Sequence, residues 1–494
     1  MSDARDQTHA PIAETALDPT DWAELRAQGH RMLDDMVDHL AGLAGQPLWQ
    51  PAPAAVRAAF DAPLPEAPTD LADVHADFQT LVLPYGGGNL HPGFMGWVQG
   101  GGTAAGMLAE MLAGGLNANL GGRDHMPIAV EQQIVRWVRA IFGFPDTAGG
   151  LFMTGASQAN FVATLVARTR ALGAAVRQDG LKPAPQLVAY VSSEAHGCIP
   201  RAIDMAGIGT ANLRLVPVDA ARRIDLAALA AAIAEDRAAG LRPFLIVGTA
   251  GTVNTGAIDD LAGLADIAAS EDLHFHVDGA LGSLAVLAPD LRPLFAGLER
   301  ADSLAFDFHK WGQVPYDAGF LLVRDAAALR RSFAAPAAYL SRAATGLAAG
   351  DWWPSDDGPD LSRGFRALKT WFTIRTYGLQ AIGASISANC ALARSLAERV
   401  AADPQLELLA PVALNVVCFG YVPLAEDRQG LLNAAIVERL HLDGAVAPSM
   451  TRIAGKCAIR AAIVNHRTSI HQIETLVERV KTFGMELESR GAAR

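Results

Sequence analysis

The sequence predicts an α/β fold with a mainly parallel central sheet, because short apolar strands alternate with helical segments between residues 150 and 325. The helical segments include Ser157–Leu172 and Asp225–Ala238. Ligands of such sheets bind beyond the carboxyl ends of the strands, so side chains at those ends are the first candidates for a site. The predicted strands are Leu187–Ser192, Leu213–Val218, Phe244–Gly248, Leu273–Val277, Ser303–Phe306 and Phe320–Val323.

The first part of the chain, residues 1–85, is predicted to be a helical segment that precedes the sheet. After a loose tail, the cap Asp18–Asp21 introduces a helix whose apolar stripe includes Trp22 and Met36. A stripe of this kind must be buried somewhere, which favours a dimer. Residues 46–70 are rich in Pro and Ala and are expected to form an extended connection.

The remaining chain is divided into a large domain, residues 86–375, and a small α+β domain, residues 376–494. The stretch 84–106 is rich in Gly and carries no charge, which is typical of a loop that threads through a buried site. Residues 362–400 are expected to be helical.

The composition indicates a large globular protein and excludes several classes of partner. The chain has 494 residues, 51% hydrophobic and 19% charged, which supports an extensive buried core. Its net charge is −12 and no segment carries a cluster of Lys and Arg, so neither nucleic acid nor an anionic membrane is expected as a partner. The four scattered cysteines form no Cys-x-x-Cys pair, which predicts reduced thiols in a cytoplasmic protein, with no disulfide framework and no metal site.

No targeting or spanning segment is expected. The first residues are polar and acidic, unlike a signal peptide. The uncharged stretch from Leu408 to Ala425 contains Pro411 and Gly420, so a buried strand with turns is favoured over a membrane helix.

A lysine and an aspartate lie at the ends of two predicted strands. Lys310 stands in Phe-Asp-Phe-His-Lys-Trp, just after Ser303–Phe306, and Asp278 follows Leu273–Val277. Pyridoxal phosphate (PLP) needs such a pair: the amine forms a Schiff base with its aldehyde, and the aspartate keeps the pyridine nitrogen protonated so that the ring accepts electrons. The aromatic neighbours of Lys310 indicate partial burial, which lowers a lysine pKa and makes the amine a nucleophile. The alternatives are a surface lysine and an aspartate that caps a loop.

Three further segments offer groups for the same cofactor, and each has an ordinary structural alternative. Gly155–Asn160 opens a helix whose N–H groups suit a phosphate, or Ser157 is a simple N-cap. His196 follows a predicted strand, where an imidazole either stacks on a flat ring or plays a structural role. Thr249 also follows a strand and either lines the crevice or merely ends the strand.

Tyr339 begins a stretch rich in Ala, Gly and Asp that continues to Asp360. This composition is typical of a mobile lid, on which a tyrosine could deliver a proton. The alternative is a half-buried aromatic that anchors the segment.

Taken together, these segments resemble the group II PLP-dependent decarboxylases, the family of aromatic-L-amino-acid, glutamate and cysteine-sulfinate decarboxylases. The resemblance extends from about residue 20 to residue 485. The motifs that carry it, in order, are HPGF, GASQAN, SSEAHG, TAGT with GAIDD, HVDGA, DFHKW, AAYL, SRGFRALKTWF and NHRTS.

The resemblance implies a fold-type I homodimer with sites at the subunit interface and an N-terminal segment that wraps the partner. It implies that Tyr339 protonates the substrate carbanion after CO2 leaves and that Arg363 helps to order the lid and the site. The cofactor residues that it implies are Ala156, Ser157 and His309 at the phosphate, His196 and Ala280 on the two faces of the ring, Thr249 near the ring, Asp278 at its nitrogen and Lys310 in the covalent link.

The resemblance also gives a substrate prediction, decarboxylation of an L-amino acid, aromatic by preference, to the amine and CO2. Trp97 and Val98 suit an aromatic or apolar side chain, and Asn119 and Arg363 are further candidates for substrate binding. Arg123 would instead suit an acidic substrate. The chain departs from the common pattern at Asp307, where animal members often have Asn, and at Gly364, where a second arginine is common.

Several rival functions share most of these residues. An aldehyde synthase couples decarboxylation to oxidative deamination, and such members often replace the lid tyrosine with Phe, so Tyr339 and His196 favour simple decarboxylation. A fold-type I aminotransferase or lyase would keep Lys310 and Asp278 but would not need Tyr339. The remaining alternative is a PLP-binding homologue without catalytic activity.

Overall fold

The computed structural model describes residues 16–182, 184–334, 342–423 and 429–492. The strands are β1 Phe94–Met95, β2 Gly149–Met153, β3 Leu187–Ser192, β4 Leu213–Val216, β5 Arg242–Thr249, β6 His274–Asp278, β7 Ser303–Asp307, β8 Gly319–Val323, β9 Leu406–Leu408, β10 Val416–Tyr421, β11 Ala447–Ile453 and β12 Lys456–Ala462. The α-helices are α1 Trp22–Ala41, α2 Ala54–Ala59, α3 Leu71–Asp77, α4 Ala104–Leu116, α5 Met126–Phe142, α6 Ala156–Leu172, α7 Val176–Asp179, α8 Cys198–Met205, α9 Leu226–Ala238, α10 Leu261–Ser270, α11 Ala326–Phe333, α12 Arg366–Ala402, α13 Gln429–Asp443 and α14 Ile470–Ala492.

The central sheet has seven strands in the order β2-β8-β7-β6-β5-β3-β4. Strands β4, β3, β5, β6 and β7 pair in parallel, whereas β8 runs antiparallel to both β7 and β2. The predicted α/β fold with a mainly parallel sheet is therefore confirmed. Strand β2 was not predicted from the sequence, because its two glycines interrupt the apolar pattern.

Both faces of this sheet are covered, as expected for buried parallel strands. Along β7 and β8, alternate side chains point to opposite faces. Ala305 and Leu321 belong to a buried cluster with residues of α6, whereas Phe306 and Phe320 belong to a second cluster that includes residues of α5 and α10. The pairing of Thr249 with Asp278 brings the carboxyl ends of β5 and β6 side by side.

A second sheet has the order β1-β11-β12-β10-β9 and its own buried core. Its strand β1 comes from residues 94–95, far upstream of the others, and pairs in parallel with β11. Strand β10 lies in the uncharged stretch that the sequence analysis assigned to a buried strand, and all its residues are buried. The long helix α12 is interrupted at Gly378, whose φ of 76° favours glycine.

The chain forms two compact units. One contains the described residues up to Gly42 together with Pro51–Gly86, and the other contains Leu43–Gln50 and Gly87 onwards. In the first unit, the Asp21 side chain accepts hydrogen bonds from two N–H groups at the start of α1, as the cap motif predicted. Residues 46–70, predicted to be extended, include the short helix α2, which corrects that expectation. In the described part of the chain, no helix has the length and apolar character needed to cross a bilayer.

Candidate active site

A cavity of about 320 Å³ opens at the carboxyl ends of β5, β6 and β7. This is the position that the rule for parallel sheets predicts. The predicted site residues that line it are Trp97, Val98, Ala156, Ser157, His196, Thr249, Asp278, Ala280 and Lys310. They come from distant parts of the chain, and the fold brings them together around one space.

Lys310 enters this cavity three residues after the end of β7 and forms an ion pair. Its Nζ atom lies 2.8 Å from Oδ2 of Asp307, and its side chain is 19% exposed. Burial alone would lower the pKa of Lys310, but the adjacent Asp307 carboxylate outweighs burial and holds this pKa above its usual value. The expectation of a lowered Lys310 pKa is therefore wrong for this arrangement, because the adjacent carboxylate favours the ammonium form.

Asp307 is the residue that the sequence analysis noted only as a departure. Besides pairing with Lys310, it accepts a hydrogen bond of 2.7 Å from the backbone N–H of Ala156, in the first turn of α6. A carboxylate is favoured at a helix N-terminus. The close approach of α6 depends on Gly319, which pairs with Asp307 across the sheet, because a Cβ atom there would lie 2.3 Å from Cα of Gly155. Asp307 thus ties the lysine to the helix start.

Asp278 ends β6 and is 4% exposed. Its Oδ1 atom accepts a hydrogen bond of 3.1 Å from the backbone N–H of Ala280, and its Oδ2 atom lies 3.8 Å from Sγ of Cys198. Burial raises the pKa of Asp278, since no arginine or lysine of the described residues forms an ion pair with it. A cationic ring nitrogen in the cavity would supply the partner that this carboxylate lacks.

Two other groups around the cavity have hydrogen-bonding capacity for a planar polar ligand. The Thr249 hydroxyl is buried and has no hydrogen-bond partner among the described residues. His196 accepts a hydrogen bond of 3.1 Å from the backbone N–H of Cys198 at Nδ1, which leaves the proton of a neutral ring on Nε2. These groups, the carboxylate of Asp278 and the start of α6 fit the aldehyde, ring and phosphate of PLP.

The glycine-rich segment 84–106 passes close to the backbone of Lys310. The N–H of Gly100 donates a hydrogen bond of 3.2 Å to the carbonyl oxygen of His309. A Cβ atom on Gly100 would lie 2.3 Å from the carbonyl oxygen of Lys310, so only glycine fits. This placement confirms that residues 84–106 include a loop beside a buried site. His309 does not line the cavity, and its Nδ1 atom accepts a hydrogen bond of 3.0 Å from the N–H of Ala318.

Arg363 and Asn119 do not line the cavity. The Arg363 guanidinium is buried and donates to Glu131 and to two carbonyl oxygens. Asn119 accepts hydrogen bonds from the N–H groups of Arg363 and Gly121. The Arg363 guanidinium is paired with Glu131 and the Asn119 carbonyl oxygen with two N–H groups, so neither faces this cavity; their assignment to substrate binding stays a prediction. Arg123 stacks on Trp353, 4.5 Å from its ring centre, and also lies outside the lining.

Arg460, in β12, is a lining residue that the sequence analysis missed. Its guanidinium is buried and donates to the carbonyl oxygens of Val253 and Gly96 and to the Ser449 hydroxyl. It forms no ion pair with any carboxylate among the described residues. Nothing in its apolar sequence context distinguished Arg460 from other strand arginines.

Tyr339 lies outside the described residues, so its predicted role on a lid stays a prediction. Within the described ranges, no group of three or more His, Cys, Asp or Glu side chains is arranged to hold a metal ion. All four cysteines are free thiols.

Comparison with known proteins agrees with this geometry. Residues 53–422 match the family model of the pyridoxal-dependent decarboxylase conserved domain. An aromatic-L-amino-acid decarboxylase of Bacillus atrophaeus is 30% identical over 475 residues, covering 94% of this chain and 96% of that protein. A phenylacetaldehyde synthase of Arabidopsis thaliana is 30% identical over 467 residues, covering 90% and 93%. The crystal structure of Oryza sativa TDC with PLP and tryptamine superposes with a TM-score of 0.87 at 24% identity, covering 96% of this chain and 100% of that chain.

Proposed function

The chain belongs to the pyridoxal-dependent decarboxylase family, and on that premise we propose that it converts an aromatic L-amino acid to the corresponding amine and CO2. It is a PLP-dependent lyase that acts on amino acids. The observation that carries the proposal is the single cavity shared by Lys310, Asp278, His196 and the start of α6, with apolar side chains on its walls.

Each cofactor-binding residue has a proposed task that follows from its position. When bound, PLP supplies an aldehyde that joins the substrate amine and a protonated ring that takes up the electrons of the breaking bond. Lys310 holds the cofactor covalently, and Asp307, 2.8 Å away, pairs with its ammonium before that link forms. Asp278 keeps the ring nitrogen protonated, since a buried carboxylate favours an adjacent cation.

The other residues orient the cofactor. His196 and Ala280 line the cavity and are assigned to the two faces of the ring, and Thr249 offers its unpartnered hydroxyl near it. We assign the phosphate to the first turn of α6, with the Ser157 hydroxyl. His309 does not line the cavity. It stays a candidate for the phosphate because its Nε2 atom lies 3.6 Å from Oδ2 of Asp307, which contacts the start of α6.

An apolar side-chain pocket supports the aromatic substrate. The apolar side chains that line the cavity include Trp97, Val98, Val253 and Leu281. Burial of an aromatic ring against such side chains is favourable, at about 25 cal/mol per Å² of apolar surface. Release of amine rather than aldehyde is assigned to Tyr339, whose hydroxyl would return a proton to the substrate carbon; a phenylacetaldehyde synthase among the relatives makes this distinction relevant.

A second candidate is an acidic amino acid, and Arg460 is the observation that favours it. This buried guanidinium lines the cavity and lacks a carboxylate partner among the described residues. A substrate with a carboxylate in its side chain would supply one.

A substrate panel separates the two candidates. The purified enzyme, loaded with PLP, is incubated with L-phenylalanine, L-tyrosine, L-tryptophan, L-glutamate, L-aspartate and L-cysteine sulfinate, and CO2, amine, aldehyde and ammonia are measured. We expect at least one of the three aromatic amino acids to give amine and CO2 in equal amounts. Turnover of the acidic members alone would establish the second candidate, and equal aldehyde and ammonia would indicate an aldehyde synthase.

We propose that the enzyme acts as a cytoplasmic homodimer, divided as residues 1–85 for dimerisation, 86–375 for the cofactor and 376–494 as a small domain. Helix α4 supports association because it exposes a series of apolar side chains, Leu108, Met111, Leu112 and Leu116. Size-exclusion chromatography with light scattering should give twice the chain mass of 51.9 kDa. A fully active monomer would contradict the proposal.

A further inference from the structure

A row of buried polar side chains leads from Asp278 into the interior of the protein. The Oδ2 atom of Asp278 is 3.8 Å from Sγ of Cys198, and that sulfur is 3.2 Å from Nδ2 of Asn160. The Oδ1 atom of Asn160 is 2.7 Å from Nε2 of His276. The Ser303 hydroxyl then lies 2.8 Å from Nδ1 of His276.

The row ends at His274, whose Nε2 atom is also 2.8 Å from the Ser303 hydroxyl. All five side chains beyond Asp278 are buried, from 0% exposed for Asn160 and Ser303 to 7% for Cys198. Only Cys198 among them lines the cavity. A buried polar network of this extent is costly unless its members satisfy one another, and each of these side chains has a hydrogen-bond partner within the row.

The donors in this row all point the same way. Burial lowers the pKa of both histidines and raises that of the Cys198 thiol to about 12, so each ring is neutral and the sulfur keeps its proton. Because Asn160 accepts at Oδ1, His276 must donate from Nε2 and accept at Nδ1 from Ser303. Ser303 in turn accepts from Nε2 of His274.

The two ends of the row differ in their hydrogen bonding. At one end, Nδ1 of His274 has no hydrogen-bond partner among the described residues and lies 4.0 Å from Oδ2 of Asp302. At the other end, Asn160 donates to the sulfur of Cys198, and the S–H of Cys198 donates to Asp278. Aligned hydrogen bonds polarise one another, and donation to a carboxylate favours its charged form.

We propose that His274, Ser303, His276, Asn160 and Cys198 form a positioning row that holds Asp278 ionised and oriented toward the ring nitrogen of the cofactor. The inference rests on the proposed pairing of Asp278 with that nitrogen. Cys198 is the positioning residue in direct contact with the carboxylate. The row orients dipoles and does not conduct protons, because the amide of Asn160 neither takes up nor releases a proton at neutral pH.

The test uses holoenzyme reconstituted with PLP that carries 15N in its ring. The 15N chemical shift reports protonation of the ring nitrogen, which a merely structural substitution would not change. We expect Cys198→Ala to move this signal toward the unprotonated value and to speed cofactor release about tenfold, through loss of one hydrogen bond to a charged group. Cys198→Ser, which keeps a donor, should restore both. Cys390→Ala, which removes another buried thiol, should change neither.

Asp278→Asn separates failure of this inference from failure of the proposed function. If Asp278→Asn moves the 15N signal and Cys198→Ala leaves it at the wild-type value, the row has no role and the inference is overturned. If Asp278→Asn also leaves it unchanged, the pairing of Asp278 with the ring fails as well. If Cys198→Ser does not restore the 15N signal and the rate of cofactor release, the donor role of Cys198 is likewise overturned. His274→Leu, at the far end, should move the signal in the same direction as Cys198→Ala but less, and a wild-type signal would remove His274 from the row.

Discussion

Replacement of Asp307 by Asn should convert Lys310 from a held ammonium into a reactive amine. The variant keeps the shape of the side chain but removes the charge that lies 2.8 Å from the Lys310 Nζ atom. Two opposite charges at this distance attract by roughly 6 kcal/mol at an effective dielectric constant of 20, before desolvation is subtracted. Loss of a buried partner typically costs about 3–5 kcal/mol, and the lysine can limit this cost by releasing its proton.

The Lys310 pKa should fall in the variant, because two opposing influences act on it in the wild-type protein. Burial favours the neutral amine and Asp307 favours the ammonium, so the Asn variant leaves burial without opposition and its lysine pKa falls. A raised lysine pKa contributes stability that is present at neutral pH and is lost only as pH rises through that pKa. The stability difference between wild type and variant is therefore largest near pH 7 and shrinks toward high pH.

The assay is the rate at which an amine-reactive reagent labels Lys310 in cofactor-free protein, followed by peptide mass spectrometry between pH 7 and 10. A change of about 3 kcal/mol corresponds to roughly a hundredfold faster labelling of the Asp307→Asn variant at pH 8. Asp317→Asn is the matched control, since Asp317 pairs with Arg366. Equal labelling rates in wild type and Asp307→Asn would refute the reasoning.

Three further results are expected. Asp278→Asn should lower turnover by several orders of magnitude with an unchanged circular dichroism spectrum, because a neutral amide cannot stabilise a protonated ring nitrogen; a folded variant with near-normal activity would contradict the mechanism. Tyr339→Phe should slow amine formation more than it weakens substrate binding and should release aldehyde and ammonia under oxygen, whereas amine at the parental rate without aldehyde would remove the tyrosine from the reaction. Burial lowers the pKa of His274 to about 4 and that of His276 to about 3, so the unfolded state takes up protons first as pH falls below about 6.5 and stability is lost. In urea titrations, His274→Asn should reduce the loss between pH 7 and pH 5 by about 2 kcal/mol, and identical losses would argue against a buried neutral ring.

The parts of the site that the sequence predicted are those whose signal is local. Asp278 and Lys310 each follow an apolar run, and the run itself places them at the end of a strand. Motif resemblance supplied roles for residues such as His196 and Ser157, which the structure brings to the same cavity.

The parts that the sequence did not predict depend on partners far along the chain. Asp307 bonds to Ala156, 151 residues away, so its position between the lysine and the helix start could not be read from its neighbours. Arg363 was assigned to the substrate because nothing nearby revealed its buried partner Glu131, 232 residues away. The direction of the Lys310 pKa shift likewise depends on the folded arrangement, which places Asp307 2.8 Å from the Lys310 Nζ atom.

The cavity contains two charges that lack a partner of opposite sign, and together they describe the ligands that it suits. Asp278 pairs with no cation and Arg460 pairs with no carboxylate among the described residues, although both are buried. A protonated ring nitrogen would satisfy the first, and a substrate carboxylate the second. An aromatic amino acid brings only its α-carboxylate, so Arg460→Met should raise its KM about tenfold or more while leaving the inhibition constant of the product amine unchanged. Arg460→Lys, which retains the charge, should recover part of the loss. An equal effect on amino acid and amine would show that Arg460 shapes the pocket through its bonds to Gly96 and Val253 and does not bind a carboxylate.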